Sequence, residues 1–192
     1  MNREEWLTKC ISAMRPSFRS LGHPVPRKIR ASCSWPSKSA LAKKKKRIGE
    51  AWSSKSSADG TFEVFISPVL RDPIEVAATL VHELVHCAVG LECGHKGRFR
   101  AVAEAVGLEG KMTATSAGPE LAERLHAITA KIGKYPHAEL RHSNAPKKQS
   151  TRMLKVECAE CGCIARMTRK WIEEAGPPTC ACGGEMFLED QE

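Results

Sequence analysis

Apolar side chains recur every three or four positions at the start of the chain. Trp6, Leu7, Cys10, Ile11, Met14 and Phe18 form one stripe, and that spacing predicts an amphipathic helix over 3–18. Pro16 lacks an N–H and crowds the preceding turn, which puts the last turn in question. Pro24 and Pro26 then break regular structure. The period changes to two at Ile29, Ala31, Cys33 and Trp35, the pattern of a half-buried strand. Residues 47–53 are a second strand candidate. TFEVFIS, residues 61–67, is the clearest, with β-branched and aromatic residues after the Asp59-Gly60 turn.

Helical spacing returns at Asp72. Asp72 suits an N-cap, Pro73 the first helical position, and Glu75 completes a capping-box-like pattern. This helix is expected to run through His86 and stop near Gly90. A short loop over 91–94 leads to a second helix over 97–106. A third begins at Pro119, carries Leu121, Leu125, Ile128 and Ile132 on one face, and ends at Gly133. Residues 134–152 have two prolines, five basic residues and little apolar content, which reads as a linker.

The helix from Asp72 contains the chemistry. His82-Glu83-Leu84-Val85-His86 fits H-E-x-x-H. Four residues make slightly more than one turn and rise about 6 Å, so both imidazoles leave one face and can share an ion. Glu83, beside the first histidine, can reach a water on that ion. Zinc lowers the pKa of such a water and the carboxylate can take its proton. The helix is otherwise apolar, and buried histidines and a buried glutamate need partners. A catalytic zinc usually takes three protein ligands. His95 is the best third ligand, because the chain can fold back after the glycine that ends the helix, and Gly94 and Gly97 allow tight backbone geometry. Glu104 and Cys93 remain alternatives. Tyr135, the one tyrosine, has nothing to set it near the ion, and His23, His126, His137 and His142 are read as non-ligands.

With its loop and the following His95-Lys96-Gly97-Arg98-Phe99 segment, this motif resembles the SprT-like metallopeptidases. Their pattern is H-E-x-x-H followed by a histidine opening an H-G-x-x-F-like segment. Lys96, inserted before Gly97, is a small departure, and the likeness is weak over 109–152. The resemblance implies an α+β fold: a minimal zincin-like domain over 1–133, with a small sheet packed on the H-E-x-x-H helix. It implies His82, His86 and His95 as zinc ligands and Glu83 as general base. It also implies a role close to that of DNA-dependent proteases that degrade proteins crosslinked to DNA, as in DNA–protein crosslink repair.

Nine cysteines add a second centre. Five fall between 158 and 182. In a reducing compartment, clustered cysteines suggest metal more than disulfides. Cys158 and Cys161 form a C-x-x-C pair, and Cys180 and Cys182 follow as C-x-C, so residues 153–192 are expected to be a small zinc ribbon holding a structural zinc. The short second pair leaves open whether Cys163 replaces Cys180 or Cys182. Arg166, Arg169, Lys170 and Trp171 between the pairs suit phosphate contact or base stacking, and equally an exposed basic face.

Charge then narrows the partners. The 192 residues carry a net charge of +8, and between Arg15 and Gly49 there are eleven Lys or Arg and no acid. That block ends in Lys43-Lys44-Lys45-Lys46-Arg47 and points to an acidic partner, most often nucleic acid. No run of about 18 apolar residues exists to span a membrane, and the charged start lacks a signal-peptide pattern. The expectation is a cytoplasmic zinc endopeptidase with a protein substrate and DNA as partner, with nucleoid association left open. The alternative is a non-catalytic, zinc-containing nucleic-acid-binding or regulatory protein.

Overall fold

The computed structural model describes residues 1–42, 44–141 and 153–188. The chain divides into two compact units, 1–144 and 145–192. Both mix helices with small sheets, so the expected α+β class is observed.

The first unit opens with helix α1, Arg3–Ser20, capped by a reciprocal pair between Asn2 and Glu5. The last turn, in question because of Pro16, forms. Phe18 is fully buried there, and the N–H groups of Gly22 and His23 bond back to the carbonyls of Arg19 and Phe18. Core burial thus outweighs the one backbone bond that proline removes. Strand β1 spans Ile29–Cys33, β2 Gly49–Trp52 and β3 Phe62–Ile66. They pair in the order β1-β3-β2, with β1 parallel and β2 antiparallel to β3. Trp35, expected as the end of β1, lies outside it, because the β3 partner Ile66 has already paired with Cys33.

Helix α2, Pro73–Val89, packs on this sheet and touches α1. The Asp72 carboxylate accepts from the N–H groups of Ile74 and Glu75, so the cap lies where the sequence put it. Val76, Leu80, Val81, Leu84 and Val85 bury the helix. Helix α3, Arg98–Val106, follows and packs on α2. A hairpin not foreseen in the sequence comes next: β4, Leu108–Lys111, paired with β5, Ala114–Ala117. Gly107 enters it at φ +99°, and a Cβ there would stand 2.8 Å from that of Leu121, so no other residue fits. Helix α4, Pro119–Ile132, closes the unit against α1 and α2.

The expected linker over 134–152 is corrected at its start. Tyr135 is buried with its ring 4.9 Å from that of Trp6. His137 Nε2–H donates to the Pro68 carbonyl at 2.9 Å, and the Leu140 N–H donates to the same oxygen at 2.8 Å. Low apolar content hid these three anchors, and the unit extends past residue 133 to 144. Residues 142–152, including His142, lie outside those described.

In the second unit β6, Met153–Cys158, stands between β7, Ile164–Thr168, and β8, Met186–Leu188, with α5 over Arg169–Ala175. Val156, Cys158, Cys180 and Met186 are its whole buried core among the described residues. No helix among those residues is long and apolar enough to cross a membrane.

A fragment ending at residue 141 is expected to be more stable than one ending at 133. Denaturant unfolding should show a gap on the order of 3 kcal/mol, as for loss of a large buried aromatic group. Equal stabilities would restore the linker.

Candidate metal centres

Three imidazoles converge in the first unit. His82 and His86 stand one turn apart on α2, and His95 comes from the turn before α3. Their Nε2 atoms nearly touch: His95 Nε2 lies 3.3 Å from that of His82 and 3.2 Å from that of His86. Nitrogen donors placed tetrahedrally at 2.0–2.1 Å from one ion are about 3.3 Å apart. The three residues therefore fit the corners of a single metal site. This is the set the sequence singled out, with His95 as the third member.

The surroundings hold the rings in that pose. Gly94 and Gly97 flank His95 at φ +53° with ψ −127° and φ +51° with ψ −121°. That backbone region is essentially closed to residues with a Cβ. Phe99, fully buried, lies beneath all three rings, with centroid distances of 5.0, 4.2 and 5.0 Å to His82, His86 and His95. Thr115 Oγ1 on β5 is 2.8 Å from His82 Nδ1. With Nε2 turned to the ion, Nδ1 carries the proton and donates to that hydroxyl, an arrangement that fixes ring orientation. Burial pushes His82 down to about 4 and His86 to about 3, with the neighbouring imidazoles adding to the effect, and His95 is lowered as well. All three are thus neutral near pH 7, the form that binds metal.

Glu83 shares a cleft of about 760 Å³ with the three histidines. Only 6% exposed, it accepts from the Ala51 N–H on β2. Burial raises its pKa to about 8, and a cation at the triad would oppose that shift. Gly49 makes the approach of β2 possible. A Cβ there would sit 2.5 Å from Glu83 Oε1 and 2.7 Å from Thr79 Cγ2.

The second unit brings four thiols together. Cys158 Sγ lies 3.5 Å from Cys182 Sγ, and Cys161 Sγ 3.5 Å from Cys180 Sγ. Tetrahedral thiolates at 2.3 Å from an ion would be about 3.8 Å apart, so each of these pairs need open by only a few tenths of an ångström. The C-x-C spacing is accommodated by a tight turn, in which the Gly183 N–H returns to the Cys180 carbonyl at 2.9 Å. Cys163 is outside the metal-fitting group, and its carbonyl instead accepts from the Cys158 N–H at 3.0 Å.

The other candidates are elsewhere. Glu104 pairs with Arg100 at 2.8 Å on an exposed face, and the Cys93 thiol points to the Val89 carbonyl at 3.5 Å. Tyr135 is absent from the cleft lining. Of the basic run, Lys45, Lys46 and Arg47 line the cleft, while Lys43 lies outside the described residues. Thr115 and Gly49 were missed in the sequence. The alternation Met112-Thr113-Ala114-Thr115-Ser116 was the available signal for the first.

Thr115→Val should leave the fold intact and weaken metal binding at the triad about 10- to 100-fold, the usual cost of losing such an outer partner. Competition with a chelator measures this, and an unchanged affinity would remove Thr115 from the site.

Compared with protein-family models, with curated proteins and with solved structures, the chain has no match.

Proposed function

We propose that the protein is a zinc-dependent endopeptidase of zincin-like architecture that acts on DNA-bound proteins. The observation that carries this reading is the convergence of three imidazoles in a cleft that also holds a buried carboxylate. Three nitrogen donors lining a cleft would suit a catalytic zinc, and four thiolates a structural one. When bound, zinc supplies Lewis acidity and brings a water to a pKa near neutrality.

The chain's own residues do the rest. Glu83 takes the proton of the attacking water and passes it to the departing amine nitrogen, as a general base and then a general acid. Its near-complete burial keeps bulk water from that proton. Phe99, Gly94, Gly97 and Thr115 hold the imidazoles, so little reorganisation is needed at each turnover. The second unit, with so small a core, relies on its metal to fold and supports no chemistry.

The DNA part of the reading rests on charge. The excess of +8 includes a basic segment of which Lys45, Lys46 and Arg47 reach the catalytic cleft, so a bound polyanion would run beside it. A second reading, a nucleic-acid-binding protein with metal only for structure, is favoured by Trp171. This indole is 54% exposed, with the Lys170 ammonium 5.3 Å from its centre, an arrangement suited to base stacking.

Glu83→Gln separates the two readings. It should keep two zincs per chain and lose cleavage of protein substrates, with and without DNA, by at least about a thousandfold. Wild-type protein that cleaves no protein under either condition would favour the second reading.

A further inference from the structure

Cleavage of a peptide bond puts negative charge on the carbonyl oxygen as water adds to the carbon. The bond from water oxygen to carbon forms, Glu83 takes the water proton, and charge gathers on the former carbonyl oxygen until the C–N bond breaks and the nitrogen takes the proton. Donors fixed in advance at that oxygen are among the largest contributors to rate. Tyr135, the one phenol, is packed against Trp6, and His23, His126 and His137 do not line the cleft.

Four cationic side chains do line it: Lys45, Lys46, Arg47 and Lys111. Among them Arg47 alone is anchored to another side chain among the described residues. Its Nη1–H donates to Glu50 Oε1. Glu50 is itself a fixed point on β2. Only 9% exposed, it accepts from the Ser37 N–H at 2.8 Å, the Ser37 hydroxyl at 2.7 Å and Trp52 Nε1–H at 3.0 Å. Such a saturated carboxylate cannot swing. It holds one edge of the guanidinium and leaves the other N–H groups of that rigid fork without a bond partner among the described residues. The charge also faces the reacting groups, since Arg47 lines the same cleft as Glu83 and the three histidines.

We infer that Arg47, held by Glu50, is the electrophilic catalytic residue: its free N–H groups bind the scissile carbonyl oxygen and stabilise the charge that develops there. Peptide cleavage as proposed above is assumed, and the remaining basic side chains keep their role toward an anionic partner. Glu50 is then a positioning residue. Its place three residues from Arg47, at the start of the edge strand beside Glu83, links the basic loop to the reacting centre.

The test compares wild type with Arg47→Gln and Arg47→Lys on an unstructured protein substrate without DNA. Affinity for a phosphinic peptide, whose tetrahedral phosphinyl oxygens stand in for the charged oxygen, is measured alongside. Both variants should keep one zinc at the triad and show KM within a few-fold of wild type. For Arg47→Gln, kcat should fall about 100-fold or more, the usual loss for one such donor, with an equal loss of phosphinic-peptide affinity. Arg47→Lys keeps the charge and the bond to Glu50 but not the fork, and should fall in between. Unchanged kcat, or equal losses of substrate and phosphinic-peptide affinity, would overturn the role of Arg47. If wild type neither cleaves nor binds the phosphinic peptide, the peptidase reading itself fails.

Discussion

Two imidazole nitrogens, of His82 and His86, within 3.2 to 3.3 Å of the Nε2 of a third, His95, cannot rest there on dispersion alone. Neutral rings with unprotonated Nε2 atoms would turn lone pairs toward each other at that distance, and charged rings would repel more strongly. A cation at their centre would remove both difficulties. Much of the first unit follows from holding this arrangement. Phe99 fills the space beneath the rings, Thr115 fixes one of them, and two glycines in a backbone region closed to other residues return the chain to α2. The sheet then delivers β2 against Glu83, with Gly49 allowing the contact.

How much of this could be read beforehand depended on how local each signal was. The cap at Asp72, the apolar stripe of α2 and the i, i+4 histidines lie within one helix, where spacing maps directly onto a face. His95 was legible because a helix-ending glycine sits close by. The hairpin of β4 and β5 was not, since each strand is four residues long and Leu108 is its only fully buried residue. Thr115 therefore escaped notice, although it touches a ligand. Gly49 escaped for a different reason. Nothing in its neighbourhood of sequence reports that a carboxylate 34 residues later will occupy the space of its Cβ.

Residues 134–141 show the limit of composition as a guide. A polar, proline-bearing stretch reads as a linker, yet Tyr135, His137 and the Leu140 backbone tie it to the first unit. A few specific bonds and one buried ring outweigh an unfavourable average. The second unit is the opposite case. The four core residues found among its described residues are far too few to fold it, while its cysteine spacing was plain from the sequence. There a metal held by the four thiols would take the place of a core, and the C-x-C pair costs only a tighter turn.

The first unit's histidines, and not the cysteines alone, are proposed to hold zinc. Metal content of the purified full-length chain tests it most directly, measured for wild type and for His86→Ala. Two zincs per wild-type chain and one in the variant are expected. Equal zinc content in both proteins, at one per chain, would mean that the imidazoles meet without an ion and would contradict the account.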